Sequence, residues 1–135
     1  MLMPPISRYM TRQPWTIERS ATLTAAHQLM RRHAIRHLPV MDAGKLVGIV
    51  SERDLHLIET LPDSDPDDVT VEDAMTETVY VAAPTDEVSE VVDRMAAAKL
   101  GSAVVMQDQS VEGIFTSIDA LQVLSHVLRR AVDPR

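Results

Sequence analysis

The sequence predicts a mixed α/β fold of the α+β type, built from two β-α-β-β-α repeats. The first observation behind this is a motif written twice. "GIVSERDL" at Gly48–Leu55 returns as "GIFTSIDA" at Gly113–Ala120, 65 residues later. The second is what else falls into register at that offset without a gap. Met10-Thr11 meets Met75-Thr76, Met30 meets Met95, Val40-Met41 meets Val105-Met106, and Asp54 meets Asp119. The third is a shared apolar spacing. Leu23, Ala26, His27 and Met30 stand at i, i+3, i+4 and i+7, and so do Val88, Val91, Val92 and Met95. That spacing draws one buried stripe on a helix, and a fixed period points to repeated structure.

Each copy then reads in the same order. A short helical piece opens it, Ile6 to Met10 and Val71 to Met75. An extended piece follows, Trp15 to Ile17 and Val79 to Val81. The amphipathic helix runs roughly from Thr22 to His33 and from Asp86 to Ala98. Two short runs rich in valine and isoleucine come next, as in a hairpin. They are His37 to Met41 and Leu46 to Val50, joined by "DAGK", then Ala103 to Met106 and Val111 to Phe115, joined by "QDQS". A second helix starts at each hydroxyl residue of the motif. Between the copies lies "LPDSDPDDVT", Leu61 to Thr70, which reads as a solvated linker that caps the next helix. Its acidic run also has the composition of a metal loop. The domain division is 1–60, the linker 61–70, and 71–135.

Composition narrows the function classes. The chain has 135 residues, enough for one compact domain or two very small ones. Aromatics make up 3% of it, so the core must be built from Leu, Val, Ile, Ala and the eight methionines. A net charge of −7 repels a phosphate backbone, and few aromatics are available to stack on bases. Nucleic acid is therefore not an expected partner. The chain has no cysteine, which excludes disulfides, thiolate catalysis and cysteine zinc sites. It shows neither a membrane-spanning run nor a secretory leader, so no membrane partner and a cytoplasmic location are expected.

Two uses of the motif share one geometry. Ser51 and Thr116 stand where a strand ends and a helix begins, and both are favoured N-cap residues. With an acid three places later, capping alone accounts for the pattern. The usual reciprocal cap uses Glu or Gln, however, and both copies carry the shorter Asp. That carboxylate is expected to reach back less well and to be freer to face a ligand. The binding use starts from the helix N-terminus, whose unpaired N–H groups suit a phosphate. A carboxylate beside it accepts two hydrogen bonds, as a ribose diol can give. Gly48 and Gly113 permit close approach.

With "IRHLPVMDAGKLVGIVSERDL" and "EVSEVVDRMAAAKLGSAVVM…VEGIFTSIDAL", together with "YMTRQPWTI" and "AMTETVYVA", the chain resembles a tandem pair of CBS domains, a Bateman module, over about residues 4 to 130. The resemblance implies two domains packed with pseudo-twofold symmetry and clefts between them that take adenosine compounds. These are AMP, ADP, ATP, S-adenosylmethionine and sometimes NAD. Carried over, it puts Ser51 and Asp54 at the ribose and phosphate of one site, and Thr116 and Asp119 at the other. Thr16, Ile17, Leu38, Pro39 and Val40 are implied around one base. Val79 and Val81, with Ala103, Val104 and Val105, are implied around the other base. It further implies a homodimer through the amphipathic helices.

The copies differ in charge. Arg53, Arg36 and His37 are natural phosphate partners in the first. The second has Ile118, Gly101 and Ser102 at the matching places, which suits an uncharged adenosyl end. No catalytic residues and no required cofactor are expected. A hydrolase using Asp54 and Asp119 lacks a nucleophile or a phosphate-binding glycine loop. His33 and His37 have no second pair of ligands for a metal. His27 lies on the helix stripe with Met30, as a core or dimer-face residue. "SIDALQVLSHVLRRAV" reads as an amphipathic helix with Leu121, Leu124, Val127 and Leu128 on its apolar face. The expected function is a regulatory module that senses adenine nucleotide or a related adenosyl compound and signals to a partner protein in trans. The alternative is a structural or protein-interaction dimer with vestigial clefts.

Overall fold

The apolar spacing forms helices where it predicts them. A computed structural model describes residues 2–132, and in it the two stripes lie on α1 (Leu23–His33) and α4 (Val88–Ala98). Leu23, Ala26 and Met30 are buried, as are Val88, Val91 and Met95. The Thr22 hydroxyl accepts the Ala25 N–H at 3.1 Å and starts α1. Ala34 and Lys99 end the two helices at φ of 52° and 57°, in the left-handed conformation that stops a helix.

The paired apolar runs form hairpins. β3 (His37–Asp42) pairs antiparallel with β4 (Lys45–Ser51), and β6 (Ser102–Gln107) pairs with β7 (Ser110–Thr116). Both two-residue loops have positive φ throughout, Ala43 at 50° and Gly44 at 82°, Asp108 at 51° and Gln109 at 66°. Such turns match the twist of the strands they join. A register shift follows Val40 in one hairpin and Val105 in the other, beside the paired glycines Gly48 and Gly113.

The chain forms two units, and they cut across its sequence order. One is Pro14–Val79. The other joins the segment ending at Gln13 to the chain from Tyr80 onward. The division read from sequence, 1–60, 61–70 and 71–135, follows the repeats instead. In space, the opening segment of each repeat is built into the unit that holds the other repeat's hairpin. In the Pro14–Val79 unit, β2 (Ile17–Glu18) runs parallel to β3, giving the sheet order β2-β3-β4. In the other unit, β1 (Thr11–Arg12) pairs antiparallel with β7, and β5 (Val81–Ala82) runs parallel to β6, giving β1-β7-β6-β5.

These exchanged segments complete the cores. Val71 and Ala74 of α3 (Val71–Ala74) pack with Leu23, Leu38, Val50 and Leu55. Ile6, from a 3₁₀ turn at Ile6–Arg8, and Met10 pack with Val91, Ala103 and Phe115. Close approach is possible only over glycine. A Cβ on Gly48 would stand 2.7 Å from the Met75 sulfur and 2.9 Å from the Thr76 carbonyl oxygen. On Gly113 it would stand 2.5 Å from the Met10 sulfur and 3.0 Å from the Thr11 carbonyl oxygen. Backbone bonds fix the contact: Ile49 and Thr76 exchange N–H to carbonyl bonds of 2.9 Å each.

The linker is a loop, but not one left wholly to solvent. The Val69 and Pro66 carbonyls accept the Leu23 and Thr24 N–H groups at 3.0 and 3.1 Å, and Thr24 donates to Asp67 at 2.6 Å. It thus covers the start of α1 as well as leading into α3. The extended pieces begin one or two residues later than expected, at Ile17 and Val81. Among the described residues, no helix is long and apolar enough to cross a membrane.

Replacing Gly48 with alanine should cost about 1–3 kcal/mol through overpacking against the Thr76 carbonyl. Thermal unfolding should show a clear fall in Tm, and a Tm equal to wild type would mean that the segment yields freely. Gly44→Ala makes the control, since a Cβ there meets nothing within 4 Å and is opposed only by its φ of 82°.

Candidate functional site

Strands β4 and β7 each deliver a hydroxyl residue to the first turn of a helix. α2 (Glu52–Glu59) follows Ser51, and α5 (Ser117–Val132) follows Thr116. In the first copy the Ser51 hydroxyl accepts the Asp54 N–H at 3.1 Å, and the Asp54 carboxylate accepts the Ser51 N–H at 2.9 Å. The second copy repeats this, with 3.3 Å for Asp119 N–H to Thr116 and 2.9 Å for Thr116 N–H to Asp119. The expectation that aspartate is too short to close the reciprocal cap is therefore corrected. One carboxylate oxygen reaches back with full geometry in both copies, because a strand leads straight into the helix.

The second oxygen separates the copies. Asp54 Oδ1 makes no hydrogen bond among the described residues, and the Ser51 hydroxyl has no acceptor for its proton there. In the second copy the Thr116 hydroxyl donates to Asp119 Oδ2 at 3.2 Å, and the Thr11 hydroxyl approaches Oδ1 at 3.5 Å. The first pair thus presents a free acceptor and a free donor, whereas the second is more fully engaged.

Charge sets the copies further apart. His37 lies opposite Ser51 in the β3–β4 register and is half-buried. Burial lowers its pKa; the Asp54 carboxylate opposes this, and Arg36 adds to it. Arg53 and Arg36 are exposed. The Arg36 carbonyl accepts the Glu52 N–H at 2.9 Å, which ties the start of β3 to the start of α2. The same tie recurs from Ser117 to Gly101 at 3.0 Å, where no cation stands. Ile118, in the place of Arg53, is 52% exposed.

The residues expected around the bases divide. Leu38, Val40, Ala103 and Val105 are fully buried and belong to the two cores, so their side chains are committed to packing. Ile17 is in the core as well. Pro39 and Val104 are fully buried members of neither core cluster, on the alternate positions of β3 and β6. Thr16 and Val81 are exposed, and Val79 is half-buried. Ser51, Asp54, Arg53 and His37 gather at one end of the β3–β4 hairpin, and Thr116 and Asp119 stand at the matching end of β7. Sequence reasoning missed Thr11, whose signal was the repeated Met-Thr pair. It also missed Arg31 and Glu52, which line a cavity beside Arg36.

The histidines find ordinary partners. His33 stacks on Trp15 at 3.8 Å between ring centroids, and His27 pairs with Glu59. Among the described residues, no three His, Cys, Asp or Glu side chains are placed to hold a metal, the acidic linker included. The apolar face of α5 stays open: Leu121, Leu124, Val127 and Leu128 are each at least half exposed.

His37 gives a pH signature. Its folded pKa lies below the ordinary value near 6.5, so the unfolded chain binds the proton more tightly. Nothing is lost above that value, and stability falls as pH drops from it toward the folded pKa. Urea unfolding at pH 7.5 and 5.5 should therefore show a smaller loss for His37→Gln than for wild type. Equal losses in both proteins would remove His37 from the account.

Comparison with known proteins agrees with this architecture. The family profile described as the CBS domain matches residues 6–57 and 71–126. A Vibrio cholerae protein ascribed to acetoin utilization (AcuB) has a solved structure that superposes with a TM-score of 0.85, at 32% identity, covering 98% of each chain. The CBS domain pair of protein MJ0100, solved with 5′-methylthioadenosine and S-adenosyl-L-methionine, has a TM-score of 0.84 at 26% identity, covering 93% of this chain and 98% of that one. The L-aspartate semialdehyde sulfurtransferase of Methanocaldococcus jannaschii is 30% identical over 112 residues. That is 82% of this chain but only 21% of that protein's length.

Proposed function

The chain belongs to the CBS domain family and carries the domain twice, and from that premise we propose that it is a regulatory module that binds an adenosine-containing small molecule and signals to a partner protein in trans. The observation that carries this reading is the Ser51–Asp54 pair. It caps α2 with one carboxylate oxygen and leaves the other oxygen and the serine hydroxyl free. Those are an acceptor for a ribose hydroxyl and a donor for a phosphate. The Thr116–Asp119 pair supplies the same groups in a less available form. The MJ0100 pair, similar along nearly its whole length, is solved with two adenosyl compounds, which supports an adenosine ligand here. AMP, ADP, ATP and S-adenosylmethionine are the candidates, with the protein acting in the cytoplasm.

Binding acts on a partner only through its difference in affinity for two states of the module. No enzymatic activity is assigned. The sulfurtransferase activity of the longer relative concerns a protein of which this chain matches a fifth. A nucleotide-independent interaction dimer is the second reading, favoured by the open apolar face of α5. Both readings include a homodimer through that face.

A thermal-shift panel of AMP, ADP, ATP, S-adenosylmethionine and GMP decides between them. A ligand bound only by the folded state at about a hundred times its Kd stabilises by about 2.7 kcal/mol. The sensor reading expects a shift with an adenosine compound, none with GMP, and its loss in Asp54→Asn. No shift at millimolar ligand would favour the interaction dimer. For the dimer itself, Leu124→Glu should halve the mass found by sedimentation, and an unchanged mass would exclude α5 from the interface.

A further inference from the structure

A cavity of about 270 Å³ opens beside the Ser51 motif, on the helical side of the first repeat. His27, Met30 and Arg31 of α1 line it, with Arg36 before β3 and Glu52 at the first position of α2. Neither Arg31 nor Arg36 makes an ion pair among the described residues. Glu52 follows the capping serine directly, and its N–H is held by the Arg36 carbonyl at 2.9 Å. The cavity and the motif therefore share one short stretch of backbone. His27 is occupied by Glu59.

Size and charge select the occupant. Sites that enclose whole drug-sized ligands run to about 300–1,000 Å³, so this cavity falls short of a nucleotide but accommodates part of one. Two guanidiniums against one carboxylate leave an excess positive charge, and guanidinium is the cation best suited to phosphate oxygens. In the second repeat the places of Arg31, Arg36 and Glu52 are held by Ala96, Gly101 and Ser117. None of these carries charge.

We propose that this cavity takes the terminal phosphate of an adenosine polyphosphate whose ribose is held at Ser51 and Asp54, so that the first copy selects ADP or ATP over uncharged adenosyl compounds. This rests on the adenosine reading of the motif and adds the ligand class. Arg31 and Arg36 bind the phosphate. Glu52 limits its affinity and is a specificity residue, not a holder.

Calorimetric titration of the full chain with adenosine, AMP, ADP and inorganic pyrophosphate tests it. ADP should bind more tightly than adenosine by about tenfold or more, the scale of a charge-assisted pair. Arg36→Gln and Arg31→Gln should remove that advantage and leave adenosine unchanged, while Glu52→Gln should raise ADP affinity. Both arginines are exposed, so these variants keep the fold. Equal affinity for ADP and adenosine, indifferent to the arginines, would overturn the phosphate assignment and leave the adenosine reading standing. Binding of no adenosine compound would overturn both. Pyrophosphate binding that survives Asp54→Asn, with no gain for ADP over adenosine, would make the cavity a free-anion site and overturn its link to the nucleotide.

Discussion

The close approach of a Met-Thr backbone to a strand glycine is the contact on which the rest of the structure depends. Met75-Thr76 lies over Gly48-Ile49, and Met10-Thr11 lies over Gly113-Ile114, with no space for a Cβ at either glycine. In each unit this lets a segment from the other repeat close the core, through Val71 and Ala74 or through Ile6 and Met10. It also fixes where β4 and β7 run. Those strands end at Ser51 and Thr116, so the contact positions the hydroxyl and carboxylate that start the following helix. Neither unit has a complete core without a segment that stands elsewhere in sequence order, and the repeat is therefore tandem in sequence but not in space.

Much of this was legible from residues alone. The stripe from Leu23 to Met30 gave α1 because burial on one side is what a helix of that length requires. The runs around "DAGK" and "QDQS" gave hairpins because turn residues split apolar strands. β1 was not legible. Thr11 and Arg12 are both exposed, show no alternation, and become a strand only by pairing with β7. The exchange of segments was not legible either, although its signature was present: the identities at the 65-residue offset include both halves of the contact, Met-Thr and Gly-Ile. Periodicity reports which face of an element is buried, but not which distant segment covers it.

The site shows why a cap and a ligand site are hard to tell apart in sequence. Both need a hydroxyl residue, then an acid three places on. In the structure they are not alternatives: capping uses one oxygen of Asp54 and leaves the other. What distinguishes the two copies is carried by their neighbours. Thr11 stands beside Asp119, whereas His37 and Arg36 stand beside the first motif. Apolar residues expected around the base proved to be core, as for Leu38 and Val40. A run of buried strand residues alternates between two faces, and sequence alone does not say which face meets a ligand.

The most direct test of the account is to locate the ligand on the chain. Amide chemical shifts of the labelled protein, followed while AMP or ADP is added, report this residue by residue. The account predicts saturable shifts largest at Ser51, Glu52, Arg53 and Asp54, with His37 among the affected amides. Saturable shifts that spare those residues and cluster elsewhere, such as along α5, would contradict it.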